Sequence, residues 1–196
     1  ITYQTPKQQL LNRIEALFNA IQFKEEEMIC RVYISGGNVH LQPDFETNSN
    51  EIITLQPIIN SPVNYGIEWV TVSPDKFYRL KSMNYAHHLL HLKSTEEWPI
   101  YVDNDDVVID SSIFAIGIIK NDELIFAKHH FQLPSVSRQI ILENSHDISI
   151  TYQPLRKIDL TNADSIIGCN AIKGLFLLEG LDHSMIKTIN QLFKPS

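Results

Sequence analysis

The sequence predicts an α+β fold, with a small α/β part followed by a larger, β-rich, barrel-like part. Three observations carry this. Two strand–turn–strand patterns follow one another between residues 99 and 127, each turning through Asn and Asp. Helical periodicity falls between and around these hairpins instead of alternating one for one with strands, which argues against a doubly wound parallel sheet. The 196 residues are 43 % hydrophobic and 20 % charged, enough apolar material for one domain or two small ones. The expected division is a small domain over 1–77 and a larger one over 78–196.

Taken in order, Thr5-Pro6 opens an amphipathic helix. Thr5 is the expected cap and Pro6 the first helical residue, and Leu10, Leu11, Ile14, Leu17, Phe18 and Ile21 share a face. Met28 to Ile34 is rich in β-formers and ends at the turn Ser35-Gly36-Gly37-Asn38. Ile52–Ile59 and Ile67–Val72 read as two further strands separated by Asn60-Ser61-Pro62. A helix follows over about 83–93. Its His87 and His91 stand four apart, the spacing that can share a metal, but no acidic motif accompanies them and no metal site is assigned.

Pro99–Asp103 and Val107–Asp110 form the first hairpin, around Asn104-Asp105-Asp106. Ile113–Lys120 and Glu123–Ala127 form the second, around Asn121-Asp122. Leu133 to Arg138 is a loop feeding a helix that carries Ile140 and Ile141. Ile148–Tyr152 is a strand, Leu155–Asp164 holds a short helix, and Ser165–Cys169 and Leu175–Leu178 are strands flanking a polar turn. His183–Phe193 is a closing helix.

The net charge of -7 and the lack of a basic run argue against nucleic acid as a partner. No apolar run reaches the roughly 18 residues of a membrane helix, and no signal peptide is visible. Cys30 and Cys169 make no disulfide framework, and the cytoplasm is the simplest compartment.

Lys81 stands between an extended segment and an apolar helical run. A lysine amine does covalent chemistry when its surroundings lower its pKa, and a solvated surface lysine is the ordinary alternative. Lys81-Ser82-Met83-Asn84-Tyr85 resembles the catalytic-lysine motif of the class IV, D-amino-acid-aminotransferase-like pyridoxal-phosphate enzymes. That family includes branched-chain and D-amino-acid aminotransferases and aminodeoxychorismate lyase. Three further stretches carry the resemblance in the same order. The run from Tyr101 through Asp110 to Phe114 is similar to the family's strand, turn, strand and acid, with Asp110 where the family usually has Glu. Ala115 and Gly117 replace an Asn and an aromatic residue there. Pro134-Ser135-Val136-Ser137-Arg138 resembles the family's Pro-Gly-Ile-Thr-Arg loop. Ala163 to Gly174 resembles its Ala-Asp-Glu-Val-x-x-Cys/Thr-Asn-Ser/Ala-Leu-Arg-Gly segment, and Cys169-Asn170-Ala171 is the form associated with the lyase branch.

The resemblance implies a D-amino-acid-aminotransferase-like fold that binds pyridoxal 5'-phosphate (PLP). Lys81 would be the catalytic lysine that takes the cofactor aldehyde, and Asp110 the acid facing the pyridine nitrogen. Ser135, Val136 and Ser137 would form one half of the phosphate site, and Asn170 and Ala171 the other. Without the resemblance, Asp110 is a strand-end acid, Ser135 an ordinary helix cap and the 170–174 stretch a polar turn. The family's Gly-Asp-Gly-x-Phe-Glu strand and its phosphate-binding Arg find no counterpart in these residues. The implied activity is a lyase converting 4-amino-4-deoxychorismate to 4-aminobenzoate and pyruvate. The alternatives are a class IV aminotransferase and a relative that keeps the fold without the catalysis. Arg79 and Lys173 are candidate cations for an acidic substrate. A homodimer and a small-molecule substrate are also implied.

Overall fold

The computed structural model describes residues 6–21, 28–34, 51–57, 66–74 and 97–193. Two compact units divide the chain, Ile1–Pro62 and Val63–Ser196. Thr5, Lys81, Arg79, the Ser35–Asn38 turn and the histidine-bearing segment 83–93 lie outside the described residues.

In the first unit, α1 (Lys7–Ala20) starts one residue later than the sequence predicts. Pro6 occupies the cap position with φ -59° and ψ 140°, an extended ψ that keeps it out of the helix, while its carbonyl accepts the Leu10 N–H at 3.2 Å. Leu10, Ile14, Leu17 and Phe18 are half-buried, whereas Leu11 is exposed. The strands β1 (Met28–Ile34) and β2 (Glu51–Pro57) pair antiparallel, with Cys30 opposite Leu55. Arg13 of α1 forms an ion pair with Glu51 of β2.

The second unit is mixed in strand direction and sheet-rich, as an α+β chain should be. β3 (Gly66–Thr71), read from the sequence as part of the first unit, is hydrogen-bonded into the second by parallel pairing with β4 (Glu97–Val102). β4 turns into β5 (Val108–Ser111), completing a three-stranded sheet of order β3-β4-β5. The hairpin carries a bulge, because Tyr101 faces Asp110 while Val102 faces Val108, leaving Ile109 as the extra residue.

Five strands form the larger sheet. They are β6 (Ala115–Lys120), β7 (Glu123–Ala127), β8 (Ile150–Gln153), β9 (Ser165–Asn170) and β10 (Gly174–Gly180), in the order β10-β9-β6-β7-β8. All neighbours are antiparallel except β7 and β8. Asn121 and Asp122 turn the β6–β7 hairpin at φ 50° and 61°, the left-handed pair that a two-residue turn needs and that Asn and Asp tolerate. Both sheets are open, and no closed barrel forms among the described residues.

The central strands read as unbroken apolar runs because both faces of this sheet are covered. Ile116, Ile118, Ile125, Ala127 and Ile166 pack with Ile100, Val102 and Val108 of the small sheet and with Leu155 and Leu160. On the other face, Ile119, Leu124, Phe126, Ile167 and Cys169 pack under Ile141, Ile186 and Ile189. Those last three come from α2 (Val136–Asn144) and α4 (Ser184–Asn190), while Leu160 comes from α3 (Lys157–Thr161). Gly117 sits where strands crowd together, since a Cβ there would lie 2.9 Å from the Ile125 carbonyl oxygen and 2.8 Å from Ile167 Cδ1.

Candidate cofactor site

Asp110 is placed by its strand. Side chains alternate along β4, and the bulge at Ile109 brings Asp110 rather than its neighbour opposite Tyr101, so both project from the face opposite Ile100, Val102 and Val108. The Tyr101 hydroxyl shares a hydrogen bond of 3.2 Å with Ser112 Oγ, which fixes the chain just beyond the acid. The Asp110 carboxylate accepts the Ser111 N–H at 3.1 Å and the Leu133 N–H. Burial pushes Asp110 up to about 7, although the Ser111 N–H, the Arg138 charge and the Leu133 N–H all work in the opposite direction.

The 133–138 loop runs into α2 beside this acid. Ser135 is the cap: its Oγ accepts the Arg138 N–H at 3.3 Å and its carbonyl accepts the Gln139 N–H at 3.0 Å. The N–H groups of Val136 and Ser137 are the first-turn donors with no acceptor among the described residues, at the end of the helix dipole that favours an anion. Ser137 is buried and its hydroxyl reaches the Cys169 thiol, tying α2 to β9. Burial pushes that thiol up to about 12, so Cys169 is a packing residue here and not a nucleophile.

Asn170 ends β9. Its Oδ1 accepts the Ile172 N–H at 3.0 Å and the Lys173 N–H at 2.9 Å, which folds the turn into Gly174, whose φ is +66°. The Ala171 N–H is outside those bonds, and Ala171 is exposed. Lys173, a candidate cation, is exposed and lies with its Nζ 5.6 Å from the centroid of the Phe176 ring.

Tertiary structure thus brings together the Asp110 strand, the Ser135–Arg138 loop and the end of β9, which are dispersed along the chain. Three residues here are given no role by the sequence. Arg138 is 7 % exposed, with its Cζ 4.6 Å from the centroid of the Tyr152 ring. Tyr152 donates its hydroxyl to Gln132 Oε1 at 2.9 Å. The Gln132 Nε2 and Arg138 Nη1 groups are buried without a hydrogen-bond partner among the described residues. Arg138 stands inside a quoted motif, but nothing local marks an arginine as buried, since most arginines keep the head in water.

A separate hollow of about 290 Å³ opens at the far end of β9, between Trp69, Ala163, Asp164, Ser165 and Glu179. None of the candidate cofactor residues lines it.

The amino-transferase class IV family profile matches residues 1–177. The chain belongs to the class IV aminotransferases. No curated protein sequence matches it. Among solved structures, it resembles a proposed 4-amino-4-deoxychorismate lyase from Legionella pneumophila at 17 % identity and a TM-score of 0.76, covering 98 % of this chain and 78 % of that one. A branched-chain aminotransferase from Thermoproteus uzoniensis, solved with norvaline, gives 14 % identity and a TM-score of 0.75, covering 97 % and 71 %. A hypothetical aminotransferase from Mycobacterium tuberculosis in a PLP-bound form gives 14 % and 0.69, covering 94 % and 72 %. Identities this low show a shared fold.

Class IV enzymes use PLP. The residues described here suit that cofactor in kind: a half-buried acid for a pyridine nitrogen, and first-turn N–H groups with no acceptor among the described residues for a phosphate. No helix among the described residues is long and apolar enough to cross a membrane.

Proposed function

We propose that this class IV protein is a PLP-dependent lyase converting 4-amino-4-deoxychorismate to 4-aminobenzoate and pyruvate. The observation that carries the choice is the turn after β9. Cys169-Asn170-Ala171 is the lyase-like form of the phosphate segment, and Cys169 is buried against Ser137 of the other phosphate loop. When bound, the cofactor supplies an electron sink for charge developing at the substrate carbon that bears the amine.

The protein's own residues do the rest. Lys81 would hold the cofactor, and its Nζ would take a proton from the substrate and return it. Asp110 would keep the pyridine nitrogen protonated. The N–H groups of Val136, Ser137 and Ala171, with Ser135 and Asn170 shaping their two turns, bind the phosphate. Arg79 and Lys173 are the cations offered to the acidic substrate in a protein of net charge -7. A C₂ homodimer in the cytoplasm completes the reading.

Aminotransferase activity is the second reading, favoured by the fold likeness to the branched-chain enzyme from Thermoproteus uzoniensis. One assay separates the two. Purified protein loaded with PLP is given 4-amino-4-deoxychorismate without a keto acid. Pyruvate release supports the lyase. No pyruvate, with amino transfer from a branched-chain amino acid once a keto acid is added, supports the second reading. Failure to retain PLP at all points to a relative that kept the fold without the catalysis. Sedimentation as a monomer at micromolar concentration would overturn the dimer.

A further inference from the structure

His129 follows β7, at the start of the loop that ends in the Ser135 cap, and its side chain is only 5 % exposed. Its imidazole is committed at both nitrogens. Nδ1 accepts the Phe131 N–H at 3.2 Å, so the ring proton sits on Nε2, which donates to Asp103 Oδ2 at 3.3 Å. An Asp–His pair of this kind can serve as a general base, but here neither nitrogen is left for a substrate. Asp103 is itself divided between two segments. Its Oδ1 accepts the Asp105 and Val107 N–H groups, each at 2.9 Å, and so closes the β4–β5 turn, while Oδ2 takes the imidazole. His130 stacks on the ring with centroids 4.7 Å apart, and the His129 carbonyl accepts the Gln132 N–H at 3.1 Å. The start of the loop is therefore wound around this one side chain.

We infer that His129 is a positioning residue for the first phosphate loop: its imidazole ties the 129–135 segment to the β4–β5 turn, and so sets the direction in which Val136 and Ser137 present their N–H groups. This rests on the PLP reading for its purpose, while the tie itself belongs to the protein alone. Of the two bonds, the one to Asp103 crosses between elements and carries the role. The one to Phe131 selects the tautomer that can make it. The β4–β5 hairpin also bears Asp110, so the tie relates the loop to the strand pair that holds the acid. Helix α2 is only nine residues long, and the loop delivers its first turn. A backbone donor weakens steeply once tilted off line, so a small shift of that turn is felt at a bound phosphate. His129 touches neither substrate nor cofactor in this account, and it acts through the loop.

The test compares His129→Asn and His129→Gln with the wild type by ¹⁵N NMR, in the 196-residue chain without cofactor. An Asn side chain keeps the Phe131 bond as an Asx turn but is too short to reach Asp103, whereas Gln carries an amide N–H out to Asp103. The wild-type ring signals, identified by their loss in both variants, should show the proton on Nε2. The Val136 and Ser137 amide signals should stay near their wild-type positions in His129→Gln and move in His129→Asn. PLP binding, followed by absorbance, should be alike in the wild type and His129→Gln, and about tenfold weaker in His129→Asn, the order expected for one hydrogen bond to a charged group. A wild-type ring protonated on Nδ1 overturns the inference, a result needing no variant. So do Val136 and Ser137 amides that stay in place in His129→Asn or move equally in both variants, and so does a PLP affinity unchanged in His129→Asn. Should the Asn variant not fold, displaced amides in His129→Gln overturn it instead. A wild type that binds no PLP sinks the proposed function, and the tautomer and the amide signals still decide whether His129 sets the loop.

Discussion

Asp110 stands directly opposite Tyr101 in the β4–β5 hairpin, one step from the bulge at Ile109. That register turns the acid away from the apolar layer between the sheets and toward the loop that opens α2. There it is desolvated yet still bonded to the N–H groups of Ser111 and Leu133.

This burial has a consequence for stability. Asp110 binds its proton more tightly in the folded chain, at about 7, than in the unfolded chain, near the ordinary value of 3.8. The protein therefore loses stability as pH rises from about 4 through 7, and the loss is complete above that window. The shift sets an upper bound of about 4 kcal/mol, at roughly 1.4 kcal/mol per unit. Asp110→Asn should match the wild type near pH 4 and exceed it near pH 8, as measured by urea unfolding at both values. A stability difference that does not grow with pH would contradict the burial of this acid. The same variant should lose turnover, because an amide cannot hold the pyridine nitrogen protonated.

Lys81 is tested covalently. PLP followed by borohydride should leave a cofactor-sized mass increase on the peptide containing Lys81. Lys81→Ala should abolish both the label and turnover. A label confined to another lysine would remove Lys81 from its role.

Asn190 anchors the edge of the larger sheet. Its side chain accepts the Leu175 N–H and donates to the Leu175 carbonyl, both at 2.7 Å, covering the outer side of edge strand β10. Leu175 is fully buried, so Asn190→Ala leaves two backbone groups unpaired. The expected cost is about 2–4 kcal/mol, read from the midpoint of denaturant unfolding. A cost within experimental error would show that water replaces both bonds.

Gly117 occupies the position where the family carries an aromatic residue. A Cβ there meets the Ile125 carbonyl oxygen, which belongs to a paired strand and cannot rotate away. Gly117→Ala should cost about 1–3 kcal/mol through overpacking, seen as a lower thermal midpoint. Ile167→Val should relieve only part of it, because it eases one of three close contacts and leaves the Ile125 carbonyl oxygen and Phe126 Cδ1 in place. Full recovery in the double variant would show that the side chain, and not the backbone, sets the limit.

Much of the fold was legible in the sequence, because the signals were local. Asn121-Asp122 between two apolar runs is enough to place a hairpin, and its left-handed φ values follow from which residues tolerate them. Ser135 before an apolar helix is enough to place a cap. The stretches around Asp110, Ser135 and Asn170 are recognisable from the amino acids alone, since each is a short run of characteristic residues. What distance along the chain hides, only the tertiary structure decided. The strand at 66–71 joins the second unit because its backbone pairs with residues some thirty positions away, and no local pattern encodes a partner. Asp110 is a strand-end acid by sequence, and becomes a desolvated one only when the 133–138 loop closes over it. Arg138 looks like a solvated helix residue until Tyr152 and Cys169, from two other strands, enclose it. Burial and the electrostatics that follow from it are properties of what packs against a residue, so the charge state of this site was settled by the fold and not by the motif.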